Sequence, residues 1–207
     1  MLGVSESRSV GRPPSIVDGQ TAPERLIDAA LRLFSDKGFE GTSVQDVVST
    51  AGVTKGAMYH YFASKDDLLQ EIYARVLRVQ QERLDQFAQS EAPIAERVHG
   101  AAADVVANVT ENLPSMVIFF RSLHQLGDEQ QAEVRRERRR YHETFRAMIA
   151  EGQRSGAFRA DVDPDLVVDF YFGSVHHVPI WWKPDGPLTG EQVGERFADL
   201  LLASLTP

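Results

Sequence analysis

Apolar residues in this chain recur at intervals of three and four, segment after segment, and no segment alternates. Leu26, Ala29, Ala30, Leu33 and Phe34 form one stripe, Leu68, Ile72, Val76 and Val79 a second, and Ile94, Val98, Ala102, Val105 and Val109 a third. A period near 3.6 puts such residues on one face of an α-helix, whereas a strand needs a period of two. The pattern continues to Leu205 without a repeated unit, and it predicts an all-α fold of about nine helices.

Helix boundaries are written in the polar residues. Thr21 with Glu24, Ser64 with Asp67 and Thr189 with Gln192 have capping-box spacing. Thr42 and Ser43 are alternative N-caps for a helix that Gly52 breaks, and Thr54 caps the short helix that follows, Lys55 to about His60. The first 20 residues hold Gly, Pro, Ser and isolated charges, and read as a flexible arm. Its Arg8 and Arg12 suit either a mobile tail or an arm reaching into a DNA minor groove.

Several function classes are disfavoured. The chain has no cysteine, which excludes disulfides, zinc–thiolate sites and a thiol nucleophile. Stretches such as Ser115–Phe120 and Leu200–Leu205 fall far short of the ~20 residues of a membrane span. The first residues lack the apolar block of a signal peptide, so a cytoplasmic location is expected. No His-Glu-x-x-His, Gly-x-Ser-x-Gly or phosphate loop occurs, so neither a metal, a cofactor nor a catalytic residue is expected. His124, His142, His176 and His177 read as ligand-recognising or packing residues, and His176 and His177, as neighbours on a helix, point different ways.

Charge divides the chain. Through Lys65 there are seven Lys/Arg and seven Asp/Glu, and the remainder holds fifteen against 23, so the net charge of -8 lies wholly in the later part. Any nucleic-acid contact must therefore come from a local patch.

Such a patch is present. Three short helices between Pro23 and His60, the last two joined by a Gly-containing turn, describe a helix-turn-helix, whose second member enters the DNA major groove. Lys55, Tyr59 and His60 bring polar tips to that surface and Gly56 allows close backbone approach. Thr42, Ser43 and Thr54 sit at helix N-termini suited to phosphate, and Lys65 opens the next helix with a further cation. The string "RLIDAALRLFSDKGFEGTSVQDVVSTAGVTKGAMYHYFASKDDLL" resembles the DNA-binding region of TetR-family transcriptional regulators.

That resemblance implies a helix-turn-helix unit over 21–68 and a ligand-binding, dimerising unit over 69–207. It implies a homodimeric repressor that binds an operator in double-stranded DNA and is released by a small hydrophobic effector. A helical ligand-binding module without DNA recognition, an activator without release-type repression and a small helical enzyme are the other readings, and Lys55, Gly56, Tyr59 and Lys65 count against the first of them. The aromatic-rich segments "FFRSLH" and "FYFGSVHHVPIWW" suggest a pocket, with Phe119, Phe120, His124, Phe145, Phe170, His177 and Trp181 as its candidates. In that family the last two helices usually pair across the dimer, which makes Val193, Phe197, Leu200 and Leu201 the interface candidates. The end "WWKPDGPLTGEQVGERFADLLLASL" is similar to that of actinobacterial TetR-type repressors of steroid and fatty-acid breakdown, which implies an acyl-CoA thioester as ligand. The run "RRERRR" reads either as a solvated face or as a set of arginines holding that thioester's phosphates.

Overall fold

The computed structural model describes residues 19–206; the arm with Arg8 and Arg12 lies outside the described residues. Among those described, nine α-helices follow in order, with no strand. They are α1 (Ala22–Lys37), α2 (Val44–Ala51), α3 (Lys55–Tyr61), α4 (Lys65–Ala88), α5 (Ile94–Glu111), α6 (Leu113–Arg121), α7 (Asp128–Arg154), α8 (Pro164–Trp181) and α9 (Gly190–Leu205). A single 3₁₀ turn, Leu123–Gln125, joins α6 to α7. No described helix is long and apolar enough to cross a membrane.

The polar boundary residues act as their spacing requires. The Thr21 N–H and hydroxyl both donate to the Glu24 carboxylate, at 2.7 and 2.8 Å. The Gln192 N–H donates to the Thr189 hydroxyl at 3.1 Å, and the Gln192 side chain accepts the Thr189 N–H at 3.0 Å. Of the two alternatives before α2, Ser43 is the cap: the Asp46 N–H donates to its hydroxyl at 3.1 Å. Gly52 ends α2 with φ 64°, a left-handed conformation that costs a residue with a Cβ about 1–2 kcal/mol.

Two cores form. The first gathers Leu26, Ala30 and Phe34 of α1, Val47 and Val48 of α2, and Met58 of α3. The second is built from α5, α7, α8 and α9 around Val98, Val106, Phe145, Tyr171 and Leu205. Helix α4 belongs to both, since Leu68, Leu69, Ile72, Tyr73 and Leu77 lie in the first core and Leu84 in the second. Helix α6 straddles them too, with Ile118 and Phe119 in the first and Met116 in the second. Movement of the α7–α8 layer against α6 therefore reaches α4 through packed side chains, which compress little.

Helix α9 lies against α5 at small residues. A Cβ added to Gly194 would stand 2.5 Å from the Ala103 carbonyl oxygen, and one on Gly190 would meet the Thr110 hydroxyl at 1.9 Å. Backbone atoms cannot swing aside as a side-chain end can. Gly194→Ala is expected to destabilise the fold by about 1–3 kcal/mol, lowering the thermal midpoint by several degrees. A melting curve equal to that of the parent would show that α9 is free to shift outward.

Candidate nucleic-acid interface and effector cavity

Helix α3 is anchored by one side chain. Met58 is fully buried in the first core, which for such a residue contributes about 1.5–3 kcal/mol. Thr54 caps the helix by accepting the Ala57 N–H at 3.1 Å. Its remaining surface faces outward: Thr54, Lys55, Gly56 and His60 are exposed, and so is Tyr59 at 50 %. Space beside Gly56 is open, since a Cβ there would meet nothing within 4 Å. Tyr61 is exposed and meets His60 edge-on at 4.9 Å. Ser43, exposed at the start of α2, completes the surface.

Thr42 needs correction, and Lys65 is held in part by internal contacts. Thr42 is 2 % exposed, with its hydroxyl 2.8 Å from the Gly38 carbonyl and 3.2 Å from that of Leu33. It is a structural tie between α1 and the loop before α2, and its side chain cannot reach a phosphate. Lys65 is committed inward only in part. Its ammonium donates to the carbonyls of Phe39 at 2.7 Å and Thr42 at 3.0 Å, and lies 4.1 Å from the centroid of the Phe39 ring. Two of its three protons hold the start of α4 to the α1–α2 loop, while its positive charge is not neutralised by these carbonyls and its third proton remains for a phosphate. Arg25 performs a parallel task, donating to the carbonyls of Ala51 and Gln20, both at 3.1 Å.

In the other half, α4, α5, α6, α7 and α8 enclose a cavity of about 20 Å³, room for roughly one water molecule. Phe119 and Phe120 line it, together with Leu77, Val105 and Val109. Gln80, Arg138, Tyr141, His142, Phe172, Val175 and His176 complete the wall; the sequence reading weighs His142 and His176 as ligand-recognising or packing residues, and does not single out Gln80, Tyr141, Phe172 or Val175. His142 stacks on Phe172 with centroids 4.4 Å apart, and His176 lies 4.6 Å from Phe120. Arg138 stands over the Phe119 ring at 5.5 Å. Neither Asp nor Glu is part of this lining.

The remaining pocket candidates lie elsewhere. Phe145 is fully buried behind the lining, stacked on Tyr171 at 5.6 Å. His124 is exposed in the 3₁₀ turn. Phe170 and His177 are exposed on the outer face of α8, as is Trp181. Helix α8 is apolar on two faces, so its period alone could not tell the inward stripe (Phe172, Val175, His176) from the outward one (Leu166, Phe170, His177, Trp181). Of the interface candidates, Val193 and Leu201 are 2 % and 4 % exposed and belong to the chain's own core, because α9 turns them toward α5. Leu200 is 71 % exposed, and the half-buried Phe197 stacks against Trp181 at 6.4 Å.

Past Arg138 and His142 the cavity adjoins an open groove of about 460 Å³ between α7 and α8. Arg135, Arg139 and Arg146 line it, with Glu143, Asp165 and Asp169. Arg146 is paired with Asp165 at 2.6 Å. In the run itself, Arg136 is paired with Glu133 and Arg135 with the side chain of Gln131. The run is therefore a solvated face in part, with Arg138 turned into the cavity. A second groove of about 420 Å³, between α4 and α7, is open and bordered by charges of both signs, among them Arg78, Glu82, Glu133 and Arg140.

Similarity to known proteins agrees with this arrangement. Residues 26–72 match the family described as bacterial regulatory proteins, tetR family, and residues 91–205 match the tetracyclin repressor-like C-terminal domain. The chain belongs to the TetR family of helix-turn-helix transcriptional regulators. Among its relatives, the HTH-type transcriptional repressor KstR2 of Mycolicibacterium smegmatis is 28% identical over 184 residues, covering 88% of this chain and 90% of the relative. The structure of the ketosteroid transcriptional regulator KstR2 of Mycobacterium tuberculosis superposes with a TM-score of 0.81 at 25% identity, covering 95% and 100% of the two chains. That of AibR in complex with isovaleryl coenzyme A and operator DNA gives 0.76 at 26%, covering 90% and 98%.

The cavity histidines have a consequence for stability. Burial, then the positive charges of Arg138, His142 and His177, push the His176 imidazole down to about 4 from its ordinary 6.5. The folded form keeps it neutral while the unfolded chain takes up a proton below pH 6.5, so stability is lost as pH falls from about 6.5 toward 4. Between pH 7 and 5 this loss is about 1–2 kcal/mol, and His176→Asn should remove most of it. Denaturant titrations at both pH values test this; an equal loss in parent and variant would refute it.

Proposed function

We propose that this chain acts as a homodimeric repressor whose two α3 helices enter successive major grooves of an operator. In this reading Lys55, Tyr59 and His60 contact bases and phosphates, Gly56 permits close approach, and Ser43 and Thr54 offer their helix N-termini to phosphate. The observation that carries it is the α3 surface itself. A seven-residue helix fixed by Met58 alone leaves its polar side chains outward, within the part of the chain that matches the family's DNA-binding domain. Two-fold docking of this kind places the reading helices one turn of DNA apart, roughly 34–36 Å.

The outer face of α8 and α9 supports the dimer. Leu166, Phe170, Ile180 and Trp181 on α8 and Leu200 on α9 are 49–73 % exposed. Large exposed apolar residues following one helical face mark an association surface. A second copy of the chain, related by a two-fold axis, is the occupant that the family membership favours.

The proposed effector is a small hydrophobic molecule, with an acyl-CoA thioester as the chemistry that fits best. An apolar cavity that adjoins an arginine-lined groove suits a ligand with an acyl group and phosphates, and a structural neighbour is complexed with isovaleryl coenzyme A. A cavity of about 20 Å³ holds no acyl group as it stands. The ligand must therefore favour an expanded conformation, and release follows if that conformation separates the α3 helices to an unsuitable distance.

Fluorescence anisotropy with labelled DNA from upstream of the chain's own gene tests the repressor reading. Lys55→Ala and Tyr59→Ala are each expected to weaken binding about 10- to 100-fold, as loss of a direct groove contact does, with the fold and ligand binding retained. Salt-insensitive binding, or binding indifferent to both substitutions, would exclude α3 as the reading helix. For the dimer, Phe170→Glu combined with Leu200→Glu should give a monomer in light scattering and abolish operator binding at nanomolar protein. Persistence of the dimer would place the interface elsewhere.

A further inference from the structure

Arg138 is a half-buried cation without a counter-ion, set where the cavity meets the groove. Among the described residues it forms neither an ion pair nor a hydrogen bond; its recorded contact is the face of Phe119 at 5.5 Å, and burial holds its guanidinium below the usual range. Two imidazoles, His142 and His176, share the same cavity, and both are pushed down by burial and by Arg138. Tyr141, 7 % exposed, also lines it, and its hydroxyl makes no hydrogen bond within the described residues. Of the nearby carboxylates, Asp104 of α5 acts on Tyr141 but is already paired with Arg83, and Asp169 opposes the fall of His142 from the groove side. Buried charge is expensive unless paired, so a donor set of this kind, with no acid in its lining, is organised for an anion.

We propose that Arg138, His142 and His176 form an anion-binding site at the neck of the cavity. It takes a carboxylate or phosphate oxygen of the effector while the effector's apolar part enters between Phe119, Phe120 and Phe172. The site rests on the effector-cavity reading above and adds to it that negative charge next to an apolar group is the recognised feature. Binding at this site also has a route to the DNA-binding half. The Phe119 ring under Arg138 meets Tyr73 at 5.1 Å, and the Phe119 carbonyl accepts the Tyr73 hydroxyl at 3.0 Å. An anion that draws the guanidinium off Phe119 disturbs the layer that holds α4 to α6.

The test uses the full chain with labelled histidine rings, titrated separately with octanoate, inorganic phosphate, octanoyl-CoA and, as a neutral control, octanol. Octanoate or octanoyl-CoA should move the His142 and His176 ring signals toward the protonated position, whereas octanol should not. In Arg138→Met the affinity should fall about tenfold or more, as loss of a charged hydrogen bond does. Arg138→Lys should retain part of it, and Arg136→Met, on the Glu133-paired outer face, should bind like the parent. Operator binding by Arg138→Met would show that the variant is folded. If no anionic probe moves these signals in the parent, or if Arg138→Met binds within twofold of it, the anion site is refuted. Octanoyl-CoA binding that ignores Arg138 would sink this inference and leave the thioester reading standing. A response to octanoate and phosphate but not to octanoyl-CoA would do the reverse.

Discussion

The Tyr73 hydroxyl lies 3.1 Å from the Ile118 carbonyl and 3.0 Å from that of Phe119, and through this contact the two halves of the molecule are held in register. Tyr73 is 1 % exposed, so the hydroxyl has no water to fall back on, and breaking the contact would leave buried polar groups unmatched at a cost of about 1–3 kcal/mol each. Tyr73 sits eight residues into α4, on the stretch that packs against α1 and α3, whereas Ile118 and Phe119 close the end of α6 beside the cavity. A helix that is part of two cores cannot be re-seated in one without a response in the other. Burial of the tyrosine, which pushes its ionisation far above the ordinary range, keeps the donor protonated at any physiological pH.

Other ties make α4 behave as a rigid element. At its start Lys65 is clamped to the Phe39 and Thr42 carbonyls, and further along Arg83 makes a forked contact with Asp104 of α5. Forked guanidinium–carboxylate pairs fix orientation as well as distance. Helix α5 is in turn bound to α7 through Arg97 and Glu151 at 2.7 Å, and Arg97 also donates to the carbonyl that follows in the α4 exit, Phe87, at 3.0 Å. The polar clamps therefore lie at the two ends of α4 and the aromatic contact lies between them. This distribution suits a lever that pivots on a packed, non-directional layer while its ends keep their angles.

Much of this architecture was legible in the spacing of apolar residues and caps. Helices α1, α2 and α3 follow closely from their caps and breakers, Thr21, Gly52 and Thr54 among them, whereas Met58, the buried anchor of α3, was not singled out. The inner and outer faces of α8 were not legible, since Phe170 and Phe172, or His176 and His177, are equivalent to a periodicity argument when both faces are apolar. Arg138 was hidden for a different reason: within "RRERRR" only the rotation of α7, set by Val134, Tyr141 and Phe145 in the cores, decides which arginine turns inward. Thr42 misled because a hydroxyl at a helix start serves an internal carbonyl as readily as a phosphate, and the internal share of Lys65's donors was not legible for the same reason. Local pattern identifies the donors, and tertiary packing chooses their acceptors.

The charge distribution bears on how a change so small could govern DNA binding. The chain carries -8 overall, with the excess behind Lys65, so the larger half repels a phosphate backbone rather than attracting it. Lys65 and Arg25, two of the cations in the DNA-binding half, are committed in part to internal carbonyls. In the proposed complex, affinity then rests less on diffuse attraction, which tolerates misplacement, and more on short contacts from Lys55, Tyr59, His60 and the helix starts, which do not. Short polar contacts weaken steeply once distance and angle leave their narrow range. In the proposed dimer, joined through α8 and α9, a modest rotation of α4 in each copy is multiplied by the distance from pivot to α3. On this proposal a strongly basic surface would need a larger displacement to let go than the acidic body of this chain does.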